Sequence, residues 1–401
     1  MKILVLNAGS SSQKSCLYQI GDNLPDLALK PLWSAKIDWT YFEGIAELKV
    51  KSNQGEYRAE LSSNDRTAVM SHLLDTLYKG DTRVIDNLSE INIVGHRVVH
   101  GGEDYREATI VTQRVKEAIS RLASFAPIHN PVNLEGITTI EQILPEVPQV
   151  AVFDTAFHSQ LPAKAAVYPI PYSFFEQGIR RYGFHGINHE YCAHRTAQLL
   201  NKDIEFLRLI TCHLGNGCSI AAIRGGISID TTMGFTPLDG LMMGSRSGSV
   251  DPGILIHLLR QGYNADKLDE MLNIASGLKG ISGLSNDMRQ IIAAKDNTRA
   301  QLAFDMYVNS LCQHIGAMLV TLGGADAIAF TGGVGEHQPP IRALACEALG
   351  FMGIKIDAEK NVNSPVDVDI ATNDSVARVL VIEAQEDWAI ASQCWKIANN
   401  V

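Results

Sequence analysis

Three short segments of small residues, each directly after an apolar run, contain residue types that bind phosphate. They are Asn7–Ser12 with Lys14 just beyond it, His213–Ser219, and Thr331–Glu336. A tight turn rich in glycine, serine and asparagine can direct backbone N–H groups and hydroxyls at an anion, and a lysine adds a mobile positive charge. Three such turns predict a chain that binds a nucleotide between two similar halves.

The first turn is not a P-loop, although its spacing is similar. From Gly9 to Lys14 the pattern lacks one glycine, and the residues that follow predict a strand rather than a helix. An ordinary serine-rich turn therefore remains the alternative to a phosphate-binding hairpin.

The first and second turns belong to segments with the same organisation. The segment ILVLNAGSSSQKSCLYQI begins at Ile3 and LITCHLGNGCSIAAIRGGISI begins at Leu209, and each predicts a strand, a polar turn and a returning strand. This repetition indicates an internal duplication.

Apolar periodicity predicts the elements that position these turns. In the first half it predicts antiparallel strands over 30–60, a helix capped by Asn64 that ends near Lys79, a buried strand Ile91–Val94, helices over 114–124 and from 131 to about 145, and a strand Gln149–Phe153. In the second half it predicts strands Leu207–Cys212, Ala327–Phe330 and Arg378–Ile382, with helices Arg299–Leu322, from Pro339, and Glu386–Ala398. Asp154 follows one strand directly, and open α/β sheets bind ligands at such strand ends.

Composition limits the function. The formal net charge of −10 disfavours broad binding to nucleic acid or to an anionic membrane. Seven scattered cysteines without a CxxC pair predict free thiols in a reducing cytoplasm. The N-terminal apolar run is too short for a signal peptide, and no apolar segment is long enough for a membrane span.

Motifs in order along nearly the whole chain resemble those of the acetate kinase family of short-chain carboxylate kinases, in the acetate and sugar kinase/Hsp70/actin superfamily. These motifs are NAGSSSQK (7–14), GHRVVHGG (95–102), APIHNP (126–131), VFDTAFH (152–158), RRYGFHG (180–186), HLGNG (213–217), MGFTPLDGLMMGSRSG (233–248), SGLSNDMR (282–289) and FTGGVGE (330–336).

The resemblance implies an α/β fold of two duplicated RNase H-like (actin/Hsp70-type) domains with a nucleotide cleft between them. The first domain would be 1–154 plus 381–401, and the second 155–380. The reaction would be the reversible transfer of a phosphoryl group from ATP to acetate, giving ADP and acetyl phosphate, with Mg²⁺ as the metal and Mn²⁺ as the alternative ion. Relatives are homodimers, so the same is expected here.

Roles for individual residues also follow from the resemblance. The catalytic positions are Arg97, His129, Asp154, His185 and Arg246, and the acetate-binding positions are Arg97, Val99, Ile128, Phe184 and Pro237. The ATP-binding positions are Ser10, Ser12, Lys14, His213, Leu214, Gly215, Asn216, Gly217, Asp287, Met288, Arg289, Gly333, Val334, Gly335, Glu336 and His337, and the metal-associated positions are Asn7 and Glu386.

The chemistry of the reaction assigns parts to these residues. Two anions must meet in line, so cations and fixed donors carry the catalysis. Arg97 would bind the acetate carboxylate, Arg246 would stabilise the migrating phosphoryl group, and His185 would donate to one of its oxygens. Acetate is already ionised at neutral pH, which favours a positioning or Mg²⁺-linked role for Asp154, with general base catalysis as the alternative.

Other functions compete with this interpretation. A propionate kinase of the same fold is the nearest rival, although the β-branched Val99 would narrow the pocket and favour acetate. An ATP-gated binding protein and a catalytically idle regulator are the others. Departures from the usual family residues, such as His337 for asparagine, leave the nucleotide-base preference open.

Overall fold

The computed structural model describes residues 1–9, 12–42, 44–62, 65–127, 129–363 and 366–400. The chain divides into two compact units. The first unit consists of Met1–Ala156 and Gln385–Val401, and the second unit of Phe157–Ala384.

Both units contain strands and helices. The strands are β1 (Lys2–Ala8), β2 (Ser12–Gln19), β3 (Trp33–Phe42), β4 (Ile45–Ser52), β5 (Glu56–Ser62), β6 (Ile93–Val98), β7 (Thr109–Ile110), β8 (Gln149–Phe153), β9 (Arg208–Leu214), β10 (Cys218–Arg224), β11 (Ile227–Thr231), β12 (Ala327–Thr331), β13 (Val368–Asp369) and β14 (Arg378–Val381). The helices are α1 (Arg66–Tyr78), α2 (Gln113–Arg121), α3 (Asn130–Ile143), α4 (Ala163–Ala166), α5 (Ser173–Glu176), α6 (Gly186–Leu200), α7 (Pro252–Arg260), α8 (Ala265–Ile274), α9 (Gly277–Ser282), α10 (Met288–Ala293), α11 (Thr298–Leu322), α12 (Gly332–His337), α13 (Pro339–Ala348), α14 (Ala358–Asn363) and α15 (Glu386–Ala398). Short 3-10 helices lie at Gly80–Thr82, Leu88–Glu90, Leu122–Ser124, Ala156–His158, Ile204–Phe206 and Gly350–Met352.

The two sheets share one central plan. Their strand orders are β5-β4-β3-β2-β1-β6-β8-β7 and β11-β10-β9-β12-β14-β13. In the first sheet β1, β2 and β3 pair antiparallel, and β6 and β8 continue parallel to β1. In the second sheet β9, β10 and β11 pair antiparallel, and β12 and β14 continue parallel to β9. This shared order confirms the predicted duplication.

Apolar residues of the central strands form the cores. Ile3, Leu4, Val5 and Leu6 of β1 are at most 2% exposed. Helix α15 packs on β1 and β6, although more than 280 residues separate it from either strand. The last helix of the chain therefore completes the sheet with which the chain begins.

The structure corrects three details of the predicted elements. Asn64 lies outside the described residues, and Asp65 caps α1 by accepting from the Ala68 N–H at 3.0 Å. The strand predicted at Ile91–Val94 is β6, which begins two residues later and continues through Arg97. Arg97 is therefore a strand residue. Burial along β6 continues beyond Val94 through Gly95 and His96, so the strand does not end at Val94.

The third predicted turn is mostly helical. Thr331–Glu336 was expected to be a glycine-rich turn, whereas α12 begins at Gly332. Gly332 has φ +78°, and a β-carbon there would lie 2.8 Å from Leu214 O. Glycine thus lets the chain pass directly from β12 into a helix.

No helix in the described ranges is both long and apolar enough to cross a membrane.

Candidate active site

A buried ion pair lies where two parallel strands of the first unit end. Arg97 is the penultimate residue of β6, and Asp154 directly follows β8. The Asp154 N–H donates to Val98 O at 2.9 Å, which aligns the two strand ends. Arg97 donates from Nη2 to Asp154 Oδ2 at 2.6 Å, and the two side chains are only 15% and 1% exposed. The fold therefore holds this arginine and this carboxylate together, away from most solvent.

Two polar atoms of this pair are suited to contact a ligand. Asp154 Oδ1 and Arg97 Nε are buried and have no hydrogen-bond partner among the described residues. Buried polar atoms nearly always have a partner, so each atom indicates a position for a ligand or ion. Burial alone would lower the pKa of Arg97, but the charges of Asp154, Glu386 and Asp387 raise it above its ordinary value. Arg97 is therefore a permanent cation.

Two buried asparagines of α3 fix the chain that follows β6. Asn133 Oδ1 accepts from the Val99 N–H at 3.1 Å, and its Nδ2 donates to Ala8 O at 3.2 Å. Asn130 accepts from the His100 N–H and donates to the His100 carbonyl, each at 3.1 Å. Sequence reasoning missed both residues, although two asparagines three positions apart share one helical face.

Asn7 lies near the end of β1, beside two acidic side chains of α15. Its Nδ2 donates to Glu386 Oε2 at 3.2 Å and to Asp387 Oδ1 at 3.0 Å. Burial raises the pKa of Asp387, and the charge of Glu386 adds to the rise, whereas Asn7 and Lys14 oppose it. Asn7 and Glu386 are the predicted metal-associated residues, and sequence reasoning missed Asp387. The strand end is thus rich in oxygen ligands.

His185 of the second unit is held in an uncommon backbone conformation. Its φ of +58° lies in the left-handed region, which residues other than glycine rarely adopt and which is often found at functional sites. It directly precedes α6, and its Nδ1 lies 2.9 Å from Ser219 Oγ. Its ring stacks on His213, with ring centroids 4.2 Å apart. Contacts to β9 and β10 therefore fix the orientation of this ring.

Gly217, in the turn between β9 and β10, brings two predicted catalytic residues close to one backbone segment. A β-carbon at Gly217 would lie 3.4 Å from both His185 Nε2 and Arg246 Nη1. Arg246 Nη1 also donates to Pro237 O at 3.4 Å. A side chain at Gly217 would stand in front of both nitrogen atoms, so glycine leaves the space beside them open to a ligand.

A cavity of about 380 Å³ in the second unit brings together many of the predicted nucleotide-binding residues. It is lined by Gly215, Asn216, Asn286, Asp287, Met288, Arg289, Gly333, Val334, His337 and Gln338. Sequence reasoning missed Asn286 and Gln338, and Asn286 Nδ2 donates to Asn216 Oδ1 at 3.2 Å. A larger cavity of about 820 Å³ lies beside α13 and α14, but its mostly apolar walls do not suit phosphates.

Helix α12, one wall of the smaller cavity, is fixed by two charged side chains. Glu336 Oε1 accepts from the Gly332 N–H at 2.8 Å, so this carboxylate stabilises the turn into the helix and does not line the cavity. Arg342, only 2% exposed, donates to Gly335 O at 2.7 Å and to Asn361 Oδ1 at 2.8 Å. Burial lowers the pKa of Arg342 to about 10. Sequence reasoning missed Arg342, whose role depends on contacts made only in the folded chain.

The remaining predicted residues lie elsewhere in the two units. Ser12 begins β2, Lys14 is exposed on β2 and pairs in register with Asn7, His129 directly precedes α3, and His213 and Leu214 end β9. Val99 of the first unit and Phe184 of the second unit are 3% and 1% exposed. The predicted residues Ser10 and Ile128 lie outside the described residues.

Comparisons with known proteins agree along the whole chain. Residues 2–392 match the model of the Acetokinase family. The chain is similar to the acetate kinase of Nostoc punctiforme, with 62% identity over 100% of both chains. Among solved structures it is similar to Porphyromonas gingivalis acetate kinase, with TM-score 0.90, 38% identity and 99% of each chain covered. It is also similar to a propionate kinase from Francisella tularensis, with TM-score 0.89, 36% identity and coverage of 98% of this chain and 99% of that one. These similarities confirm the predicted fold class of duplicated RNase H-like domains.

Breaking the Arg97–Asp154 pair should destabilise the first unit. Asp154→Asn leaves a buried guanidinium without its counter-ion, so we expect a loss of about 3 kcal/mol in the free energy of unfolding. The double variant Arg97→Met/Asp154→Asn should lose less than the sum of the two single variants. Urea unfolding followed by tryptophan fluorescence measures this loss, because all four tryptophans belong to the first unit.

The exposed Arg83–Asp86 pair is the control, and Asp86→Asn should cost under about 1 kcal/mol. Additive effects at positions 97 and 154 would contradict the coupling.

Proposed function

Since the chain belongs to the acetokinase family and is an ATP-dependent kinase that phosphorylates acetate, we propose that each unit supplies a distinct part of this reaction. The first unit binds the acceptor carboxylate and adds contacts to phosphate and metal, and the second unit binds the nucleotide and supplies the principal donors to the transferring phosphoryl group. The observation that carries this division is the buried Arg97–Asp154 pair with its two unpartnered polar atoms.

Arg97 binds the acetate carboxylate in this proposal. An arginine can donate to a carboxylate through two N–H groups at once, and Asp154 occupies only part of its guanidinium. Asp154 keeps the guanidinium in place and offsets part of its charge when acetate is absent. Because acetate carries no proton at neutral pH, Asp154 has no proton to remove and acts as a positioning group.

Donors of the second unit stabilise the transferring phosphoryl group. Arg246 Nη1 and His185 Nε2 both lie 3.4 Å from the position that a β-carbon of Gly217 would take, where both can donate to one phosphoryl group. In the transition state, negative charge is spread over the equatorial oxygens of the phosphoryl group. Donors fixed beside these oxygens therefore lower the barrier to transfer. The backbone N–H groups of 213–217 contact phosphate oxygens, as do Lys14 and His129 of the first unit, and the nucleoside occupies the 380 Å³ cavity.

Asn7 and Glu386 would hold Mg²⁺. Their amide and carboxylate oxygens are the donors this ion prefers, and Asp387 beside them adds negative charge. Among the described residues no group of three histidine, cysteine or acidic side chains could hold a metal. Mg²⁺ commonly takes one or two protein ligands and completes its octahedron with substrate phosphates and water. Bound there, the ion would neutralise phosphate charge.

We place the reaction in the cytoplasm. All seven cysteines lie in the described ranges and are free thiols, and six of them are buried, which suits a reducing compartment. The net charge of −10 gives no reason to expect a nucleic-acid or membrane partner.

A second copy of the chain is the partner that we propose for α7. All nine residues of this helix are described and none is buried, although its sequence is PGILIHLLR. Ile254, Ile256 and Leu259 are between 46% and 49% exposed, and Tyr263 just beyond is 43% exposed. Several large apolar side chains exposed on one helix indicate an interface, and the family expectation of a homodimer identifies the partner.

The purified chain should form acetyl phosphate from acetate and Mg-ATP. Hydroxylamine converts the acyl phosphate to a coloured hydroxamate, and EDTA should abolish the signal because the metal would be removed. Assays with propionate and butyrate in parallel test the neighbouring specificities. Absence of acyl phosphate from all three acids would overturn the kinase function.

Val99→Ala should shift preference toward propionate. Acetate is expected to be the better substrate of the wild type, because one methylene is worth about 1–3 kcal/mol in a fitted apolar pocket. Removing two methyl groups should raise the ratio of kcat/KM for propionate to that for acetate by about tenfold. Val98→Ala, a neighbouring buried valine of the first unit's core, is the control and should leave the ratio unchanged. Equal kcat/KM for both acids in the wild type, or equal shifts in both variants, would refute the assignment of Val99.

Charge on α7 should separate the dimer. Ile254→Asp combined with Leu259→Asp places two carboxylates in the apolar contact, so the mass measured by light scattering should fall from that of two chains to one. Val320→Asp is the control, since Val320 is 83% exposed on α11 and lies outside the α7 surface. A wild type that is monomeric at micromolar concentration, or an α7 variant that stays dimeric, would contradict the proposal.

A further inference from the structure

A chain of hydrogen bonds runs from His185 into the core of the second unit. His185 Nδ1 lies 2.9 Å from Ser219 Oγ, and Ser219 Oγ lies 2.7 Å from His189 Nε2. His189 Nδ1 in turn lies 2.7 Å from Thr211 Oγ1. Ser219, His189 and Thr211 are each 0% exposed. None of these three residues contacts a substrate in the proposed function. The chain of hydrogen bonds that they form nevertheless ends at the ring of His185, a catalytic residue.

The Ser219 hydroxyl can serve its two histidine partners only in a fixed order. It has one proton, so it donates to one ring nitrogen and accepts from the other. His189 is neutral, because burial lowers its pKa well below the ordinary value and His158 and His213 add to that effect. A neutral imidazole has one N–H, so the protons of the whole chain point either toward His185 or away from it.

The two directions give His185 different chemistry. If Thr211 donates to His189, His189 to Ser219, and Ser219 to His185 Nδ1, then a neutral His185 carries its proton on Nε2. Nε2 is the atom beside Gly217 and Arg246, where a phosphoryl oxygen needs a donor. In the opposite direction, Nδ1 holds the proton and Nε2 presents a lone pair to that anion. The first direction alone suits transfer by a neutral ring.

The groups around His185 also favour a neutral ring. Charged or titratable side chains that face it include Arg246, the stacked His213 and, through Ser219, His189. Asn188 Nδ2 lies 2.8 Å from His213 Nδ1, so the amide donates and His213 carries its own proton on Nε2. A neutral stacked ring and a nearby guanidinium supply no negative charge to hold a second proton on His185.

We propose that Ser219 and His189 are positioning residues that hold His185 as the neutral tautomer with its proton on Nε2. This inference rests on the phosphoryl-contacting role of His185 in the proposed function. It assigns to the buried chain of hydroxyl and imidazole groups the task of keeping one donor ready before ATP and acetate arrive.

The tautomer can be read directly in the full-length wild type. With ¹⁵N-labelled histidine, nuclear magnetic resonance shows which ring nitrogen carries the proton, and His185→Gln assigns the signal. We expect a neutral His185 protonated on Nε2 at pH 8. A proton on Nδ1 would overturn the proposal. This measurement needs no catalysis and no Ser219 variant, so it stands or fails separately from the kinase assay.

Ser219→Ala should give a defect that depends on pH. Without the hydroxyl, neutral His185 exchanges between tautomers and only part of the population presents a donor at Nε2, so kcat at pH 8 should fall by about 2- to 10-fold, less than the loss of a whole transition-state donor. KM for acetate and for ATP should stay within about twofold, because the donor acts chiefly in the transition state. At a pH low enough for the nuclear magnetic resonance signal to show a protonated His185, both ring nitrogens carry N–H groups, so the defect in kcat should shrink.

Ser228→Ala is the matched control. Ser228 is equally buried and its Oγ lies 2.7 Å from His158 Nδ1, so the same substitution removes a serine–histidine bond outside the His185 chain. We expect this variant to lose stability while keeping the wild-type kcat and pH profile. A Ser219→Ala defect of equal size with His185 protonated and with His185 neutral, or a Ser228→Ala defect with the same pH dependence, would show a general structural role and refute the proposal.

Discussion

Repulsion between two anions is the constraint that this structure has to meet. Acetate and the terminal phosphate of ATP both carry negative charge, and the protein around them has a net charge of −10. Each cation that binds a substrate must therefore be local and fixed. Arg97 is fixed by a buried carboxylate, and Arg246 by a carbonyl and a neighbouring glycine turn. Long-range attraction contributes little in such a protein, so the chemistry depends on short contacts.

Uncharged buried groups hold several segments and side chains of the site in place. Asn130 and Asn133 hold the chain after β6, and hydroxyl and imidazole groups hold His185. An uncharged partner orients a catalytic side chain without adding a charge that would repel a substrate. The parallel strands supply the common starting point, since the carboxyl ends of neighbouring strands meet at one edge of each sheet.

The sequence predicts most of the strands and helices well, but it predicts few of the contacts that hold them in place. Apolar runs and periodicity are local signals, so they located β1, β8 and α11 to within a few residues. The predictions for the end of β6 and for the segment that begins at Gly332 were wrong. Burial of a strand on both faces and a left-handed glycine both depend on neighbouring strands. These features are set by the fold and leave little trace in local sequence.

The same limit applies to the candidate site. Family motifs marked Arg97, Asp154 and His185, because these residues stand in dense local patterns. Arg342 and Asp387 were missed, since an arginine within an amphipathic helix or a second acid at a helix start resembles an ordinary solvated charge. Only the contact made after folding distinguishes them.

The return of α15 to the first sheet has a consequence for synthesis on the ribosome. Asn7 leaves the ribosome long before its partner Glu386, which follows it by 379 residues. The complete sequence of the second unit, Phe157–Ala384, lies between them. No nascent chain that ends before Glu386 can form this contact, so the unit that begins first is finished last. The two strands at its centre must wait for their covering helix while a whole domain is translated and folds.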